Sequence, residues 1–141
     1  GTGNVACGFL KGYGIKAGAV ALSIAHDSHN IIVVGVSDEE MEFAVNSLIA
    51  QEGGMVLVKE GKVIESMPMP IAGLMSDQSG EWVDEKLTAI HAKAYEELGI
   101  AGDVEPVMTL CFMSLAVIPE VKLTDMGLFD VTTFSFIPVE A

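Results

Sequence analysis

Residues 19 to 36 read AVALSIAHDSHNIIVVGV, two runs of small and β-branched apolar residues separated by one polar insert. Short runs that are apolar at every position, rather than at alternate ones, mark strands covered on both faces. The insert His26-Asp27-Ser28-His29-Asn30 is then a connection between two buried strands. Its side chains are expected at a sheet end, where α/β folds commonly assemble sites. Just downstream, Ser37 and Glu40 form a capping box, in which each side chain satisfies a free amide at a helix start. Met41, Ala44, Val45, Leu48 and Ile49 follow at helical spacing, predicting a helix of about four turns that Gly53 and Gly54 stop.

Further along, MVLVKE and KVIESM flank Gly61 as a hairpin, and PMPIAGLMSD is an irregular, proline-marked link. A second helix is predicted from Ser79 to Leu98, burying Val83, Leu87, Ile90, Ala94 and Leu98 before Gly99 caps it. PVMTLCFMSLAVIP reads as a long buried strand ended by Pro119, EVKLTDMGLFDV as a loop, and the stretch around TTFSFIP as the last strand. Upstream, GTGNVACGFLKGYGIKAG is dense in glycine, from Gly1 to Gly18, and reads as a twisted strand with tight bends. These elements predict an α/β fold of the α+β type, a mixed β-sheet with at least two amphipathic helices packed on it. No repeat or long linker divides the chain, so residues 1–141 are expected to form one domain.

Half of the 141 residues are hydrophobic, enough to build a core in one domain of this size. No apolar run reaches the roughly 18 residues of a membrane span, and no basic region followed by an apolar one opens the chain. A soluble, cytoplasmic protein is expected. Seven basic against 20 acidic residues give a net charge of -13, which repels phosphate backbones and anionic lipid and excludes nucleic-acid and membrane-surface binding. The acids of Asp38 to Glu42 and Glu81 to Glu97 read as solvated helix faces. Cys7 and Cys111 sit far apart in apolar sequence, and are expected to be reduced and buried rather than a disulfide or metal pair.

Chemistry concentrates in His26, Asp27, Ser28, His29 and Asn30. Two histidines three apart could share an accessory metal, with Asp27 orienting a ring or ligating. The competing reading is a turn whose Asp, Ser and Asn satisfy backbone groups, and it is favoured because third and fourth ligands are missing. A Cys7 nucleophile paired with His26 or His29 is conceivable, but a buried inert thiol fits its apolar neighbours better. His91 reads as a surface or edge residue of the second helix. Met67, Met69, Met75, Met108 and Met113 read as core filling. Neither GxGxxG nor GxxxxGK[ST] occurs in the opening, and the HxE and PCxxC signature of the zinc cytidine-type deaminases is absent.

GFLKGYGIKAGAVALSIAHDSHNIIVVG, PMPIAGLMSD and VMTLCFMSLAVIPEVKLTDMGLFDV together resemble the C-terminal domain of bacterial and archaeal adenine deaminases, metal-dependent amidohydrolases. The resemblance runs nearly end to end. It implies an enzyme that hydrolyses the exocyclic amine of adenine to give hypoxanthine and ammonia, with Mn or Fe in a (β/α)8 barrel activating water. None of the barrel's HxH, later histidine or aspartate ligands can be placed on this chain, so the isolated chain is expected to be inactive. The AHDSHN motif at Ala25 to Asn30 does match, which implies that His26, Asp27, Ser28, His29 and Asn30 face the site. They could line or close the adenine pocket, bind an accessory metal through His26 and His29, or hold the domain junction. The implied partners are the amidohydrolase barrel of the same polypeptide, adenine, and a further copy if the enzyme is a homo-oligomer. Without an initiator Met and opening in mid-strand at Gly1, the sequence is expected to be a piece of that longer protein. The alternative is a stand-alone binding or assembly module that shares only the fold.

Overall fold

A computed structural model describes residues 3–140 of the chain. Strands β1 (Ala19–Leu22), β2 (Ile32–Gly35), β3 (Gly54–Lys59) and β4 (Lys62–Pro68) form one sheet in the order β2-β1-β3-β4. Helix α1 (Asp38–Ala50) covers one face and α2 (Gly80–Glu96) the other. Because side chains alternate along a strand, the two faces have different content. Ala19, Ala21, Val56 and Val58 meet Ala44 and Leu48 of α1. Val20, Leu22, Met55 and Leu57 meet Ile90 and Ala94 of α2, with Leu98 just beyond it.

The α+β class is as expected, but all strand pairings are antiparallel rather than mixed. The connections explain this. β1 turns back into β2 through residues 23–31, and β3 into β4 through Glu60 and Gly61, whose positive φ values of 52° and 67° suit a tight primed hairpin turn. The helical crossover through α1 carries the chain from β2 past β1, so two parallel-running strands never become neighbours. Both helices are capped by their serines, but the capping box expected at α1 is only half formed, since Glu40 Oε2 is buried without a hydrogen-bond partner. Ser37 Oγ accepts the Glu40 N–H at 3.3 Å, and Ser79 Oγ accepts the Trp82 N–H at 3.3 Å.

Four expectations are corrected. Residues 3–18 hold no strand, because the backbone turns left-handed at Gly3, Gly12, Gly14 and Gly18; Gly1 lies outside the described residues. They form an arm anchored where Lys16 N–H donates to Leu98 O at 2.8 Å and Tyr13 O–H to Pro106 O at 2.7 Å. Second, the run from Pro106 to Pro119 is no strand. It contains the short helix α3 (Met108–Cys111) followed by turns, and Val107, Leu110 and Cys111 enter the core at spacings of three and four, a helical stripe. Third, the expected loop EVKLTDMGLFDV is the hairpin of β5 (Val121–Thr124) and β6 (Gly127–Asp130), to which β7 (Ser135–Ile137) adds a third strand. Fourth, some side chains expected inside are outside: Cys7 is exposed on the arm, whereas Cys111 is buried as expected, and Met75 and Met108 are 59% and 49% exposed rather than core filling. Among the described residues no helix is long and apolar enough to cross a membrane.

Gly54 has φ +105°, and a Cβ there would lie 2.0 Å from Met67 O. Gly54→Ala is therefore expected to cost on the order of 3 kcal/mol, read as a fall in the urea midpoint. Glu65 gives a second check. Burial alone would push its carboxyl up, but the Lys86 ammonium at 2.8 Å and the Ser66 N–H hold it below the usual 4.5. A carboxyl with a lowered folded pKa stabilises above its unfolded pKa and loses that contribution as pH falls through the folded value. The melting difference between the parent and Lys86→Met should therefore be largest above pH 4.5 and shrink in more acidic buffer. Its size should be about 1 kcal/mol or less, since both groups are partly solvated.

Candidate functional site

The antiparallel pairing brings three connections to one end of the four-stranded sheet. Leu22 pairs with Ile32 and with Met55, and Gly54 pairs with Pro68. The His26–Asn30 turn, the Gln51–Gly53 turn and the link after Pro68 therefore share that end. Ser23 ties them together: its hydroxyl donates to Gly73 O at 2.5 Å and accepts the Gly54 N–H at 2.7 Å. Ser23, two residues ahead of the AHDSHN motif, thus ties the β1–β2 connection to Gly73 of PMPIAGLMSD.

The segment after α3 holds the other side of the turn. His26 N–H donates to Cys111 O at 2.9 Å, and Ser114 Oγ–H donates to His26 O at 2.9 Å. The His26 ring stacks on Phe112 at 4.9 Å between centroids and 18° between planes. His29 adopts a left-handed φ of 53°, its N–H donating to Ala25 O at 2.6 Å. That closes a tight turn and sets its ring edge-on to His26 at 5.4 Å. His29 Nδ1 is buried without a hydrogen-bond partner. Asp27, 88% exposed in its side chain, stays 4.0 Å from His26 Nδ1, and Ser28 and Asn30 are exposed.

The structure thus brings His26 and His29 together and leaves Asp27, Ser28 and Asn30 facing solvent. Among the described residues no group of three or more His, Cys, Asp or Glu side chains could hold a metal ion. Cys7 lines a groove with Asp38, Glu42 and Asn46, beside α1. The Cys111 thiol is pushed up by burial and further by Glu105, which keeps it protonated and unreactive. The turn therefore offers hydrogen-bonding and stacking surface: two imidazoles, a carboxylate, a hydroxyl and an amide on a braced loop.

Sequence reasoning missed the bracing residues Ser23, Phe112 and Ser114, and behind them Glu105. His91, placed at an edge as expected, has Nε2 at 2.6 Å from Glu105 Oε1, and the other Glu105 oxygen accepts the Met108 N–H at the start of α3. Tyr13 and Tyr95 donate to the flanking carbonyls of Pro106 and Val104. Burial pushes the Tyr13 phenol up, with Glu105 and Tyr95 adding to the shift. The run from Val107 to Val117 is apolar at nearly every position, so no spacing in the sequence singles out Val107, Leu110 and Cys111 as the buried stripe. If the bracing is as described, Ser114→Ala should cost about 1 kcal/mol. Amide exchange of residues 26 to 29 should quicken while that of β3 stays slow, and unchanged exchange in the turn would refute the brace.

The family described as "Adenine deaminase C-terminal domain" matches residues 1–135. An adenine deaminase 2 of Desulfotalea psychrophila is 74% identical over 140 residues, covering 99% of this chain and 24% of the relative. An adenine deaminase of Halalkalibacterium halodurans is 53% identical over 96% of this chain and 23% of its own length. That of Bacillus subtilis is 47% identical over 94% and 23%. The chain spans about a quarter of the length of the curated relatives it matches. On this match the chain belongs to the adenine deaminase C-terminal domain family.

Proposed function

We propose that this chain serves as the C-terminal domain of a cytoplasmic adenine deaminase, which hydrolyses adenine to hypoxanthine and ammonia in purine salvage or catabolism, and that its His26–Asn30 turn faces the active site. The observation that carries the assignment is the family match over residues 1–135. Identity of 74% across 140 residues to a protein named adenine deaminase weighs against a module that shares only the fold. The metal such an activity calls for, Mn or Fe, finds no ligand set among the described residues, and no hydrolytic step is assigned to this chain. Its residues instead supply positioning. A loop held by its own backbone at His26, and by a serine shared with the neighbouring link, can present Asp27, Ser28 and Asn30 to a polar heterocycle and exclude water around it. The partner is the amidohydrolase barrel of the same polypeptide, in a monomer or a homo-oligomer.

In the whole deaminase, Asp27→Ala and His29→Ala should each lower kcat/KM for adenine by about tenfold, a loss of about 1.4 kcal/mol in transition-state stabilisation. Melting of Asp27→Ala should change little, since Asp27 is solvent-exposed. Parent rates from both variants would remove the turn from the site. Purified alone, the 141-residue chain should release no ammonia from adenine even with added Mn or Fe, and release above a no-enzyme control would overturn that expectation.

A further inference from the structure

No buried member of either core cluster lies beyond Cys111. Among the described residues after it, Lys122 alone is buried. The β5-β6-β7 sheet therefore has three strands but no core, although a small sheet needs one apolar face packed against something to persist. Leu123, Leu128 and Phe129 are half-buried, but Phe134 is 79% exposed, Met126 71% and Phe136 52%. Phe134 and Phe136 both lie edge-on to Phe129, at 5.2 and 5.3 Å. β7 is an edge strand, and Thr132 to Ile137 carries no charged residue, so apart from Pro138 just beyond it the edge lacks the usual protection against added strands. The arm covers the opposite face, because Leu128 pairs with Leu123 and Ile137 while Phe129 pairs with Lys122 and Phe136, and successive side chains alternate. A Cβ at Gly8 would touch Leu128 at 3.0 Å, which places the arm on this sheet, and the neighbouring Phe9 is 93% exposed. The uncovered face carrying Phe129, Phe134 and Phe136 is apolar surface of the kind that marks an interaction site.

We infer that the face of the β5-β6-β7 sheet formed by Phe129, Phe134 and Phe136 docks onto the remaining part of a deaminase polypeptide. The inference rests on the family membership, not on the role of the His26–Asn30 turn. In the relatives about three quarters of the chain lies outside the matched stretch, so a covering partner is present in the same molecule. Charge selects the same occupant. Glu120, Asp125 and Glu140 are exposed on the segments that carry the face, so its complement is an apolar surface with a basic rim. A second copy of this domain, with its net charge of -13, would set the same acids against themselves.

Hydroxyl-radical footprinting of the whole deaminase, read by mass spectrometry peptide by peptide, tests this without altering the protein. Each residue is compared with itself in the urea-unfolded chain. Met126, Phe134 and Phe136 should be protected roughly fivefold or more beyond Met108 and Tyr95, which lie on other elements and are exposed. Reactivity of the three at the level of Met108 would overturn the inference. So would protection that disappears on dilution as the measured mass falls to that of a monomer, because the occupant would then be a second copy. The kinetics of Asp27→Ala and His29→Ala report on the turn and the footprint on the face, so either reading can fail alone.

Discussion

Ala19, Val20, Ala21 and Leu22 are completely excluded from solvent, and the rest of the domain is arranged to keep them so. A strand buried on both faces needs a layer on each side and a neighbour on each edge. α1 and α2 supply the layers, and β2 and β3 the neighbours. The methyl groups of Ala19 and Ala21 leave α1 room to lie close, while Val20 and Leu22 fill the wider space beneath α2. With β1 fixed at the centre, its C-terminal end must deliver the chain into a connection at the sheet end. The polar residues His26 to Asn30 are placed there by that geometry rather than by interactions among themselves.

The turn is secured through its backbone. His26 uses both its N–H and its carbonyl on the segment 111 to 114, and His29 closes the turn on Ala25. This leaves the side chains of Asp27, Ser28 and Asn30 uncommitted to structure. One cost remains visible, the buried and unpartnered Nδ1 of His29. An unmet buried polar atom of this kind costs about 1–3 kcal/mol, and a left-handed φ at a histidine adds to it. Unmet groups and unusual backbone of this sort concentrate where a loop's shape serves something other than its own stability.

How much of this was legible depended on whether a signal was local. The strands at Ala19 and Ile32, the Ser37 and Ser79 caps, the hairpin at Gly61 and the buried stripe of α2 all follow from patterns within a few residues, and all are present. The placement of AHDSHN at a sheet end followed from the same patterns. What failed was non-local or degenerate. An apolar run such as PVMTLCFM satisfies a strand and a helix equally, and the helical stripe at Val107, Leu110 and Cys111 emerges only once the sheet beneath it is known. The hairpin at Asp125 and Met126 has no Asn-Gly or Asp-Gly signal, because Thr124 Oγ1 closes it by accepting the Met126 N–H and donating to Gly127 O. Ser23, Phe112 and Ser114 serve the turn from sequence distances that no local pattern reports.

The segment from Cys111 to Ser114 joins two parts of the molecule with opposite packing. On one side it holds His26 through a carbonyl, a stacked ring and a hydroxyl. On the other, Met113 O accepts the Leu123 N–H at 2.9 Å and so roots β5, the first strand of the coreless sheet. Elements with few buried contacts open at low free energy, so the order of that sheet depends on what covers its apolar face. Covering it would fix Leu123, Met113 and Ser114 in turn, and the His26 carbonyl is one hydrogen bond further. The deepest contact of the candidate site and the root of the exposed sheet thus belong to the same four residues, so an uncovered face would loosen the turn before it disturbed β1.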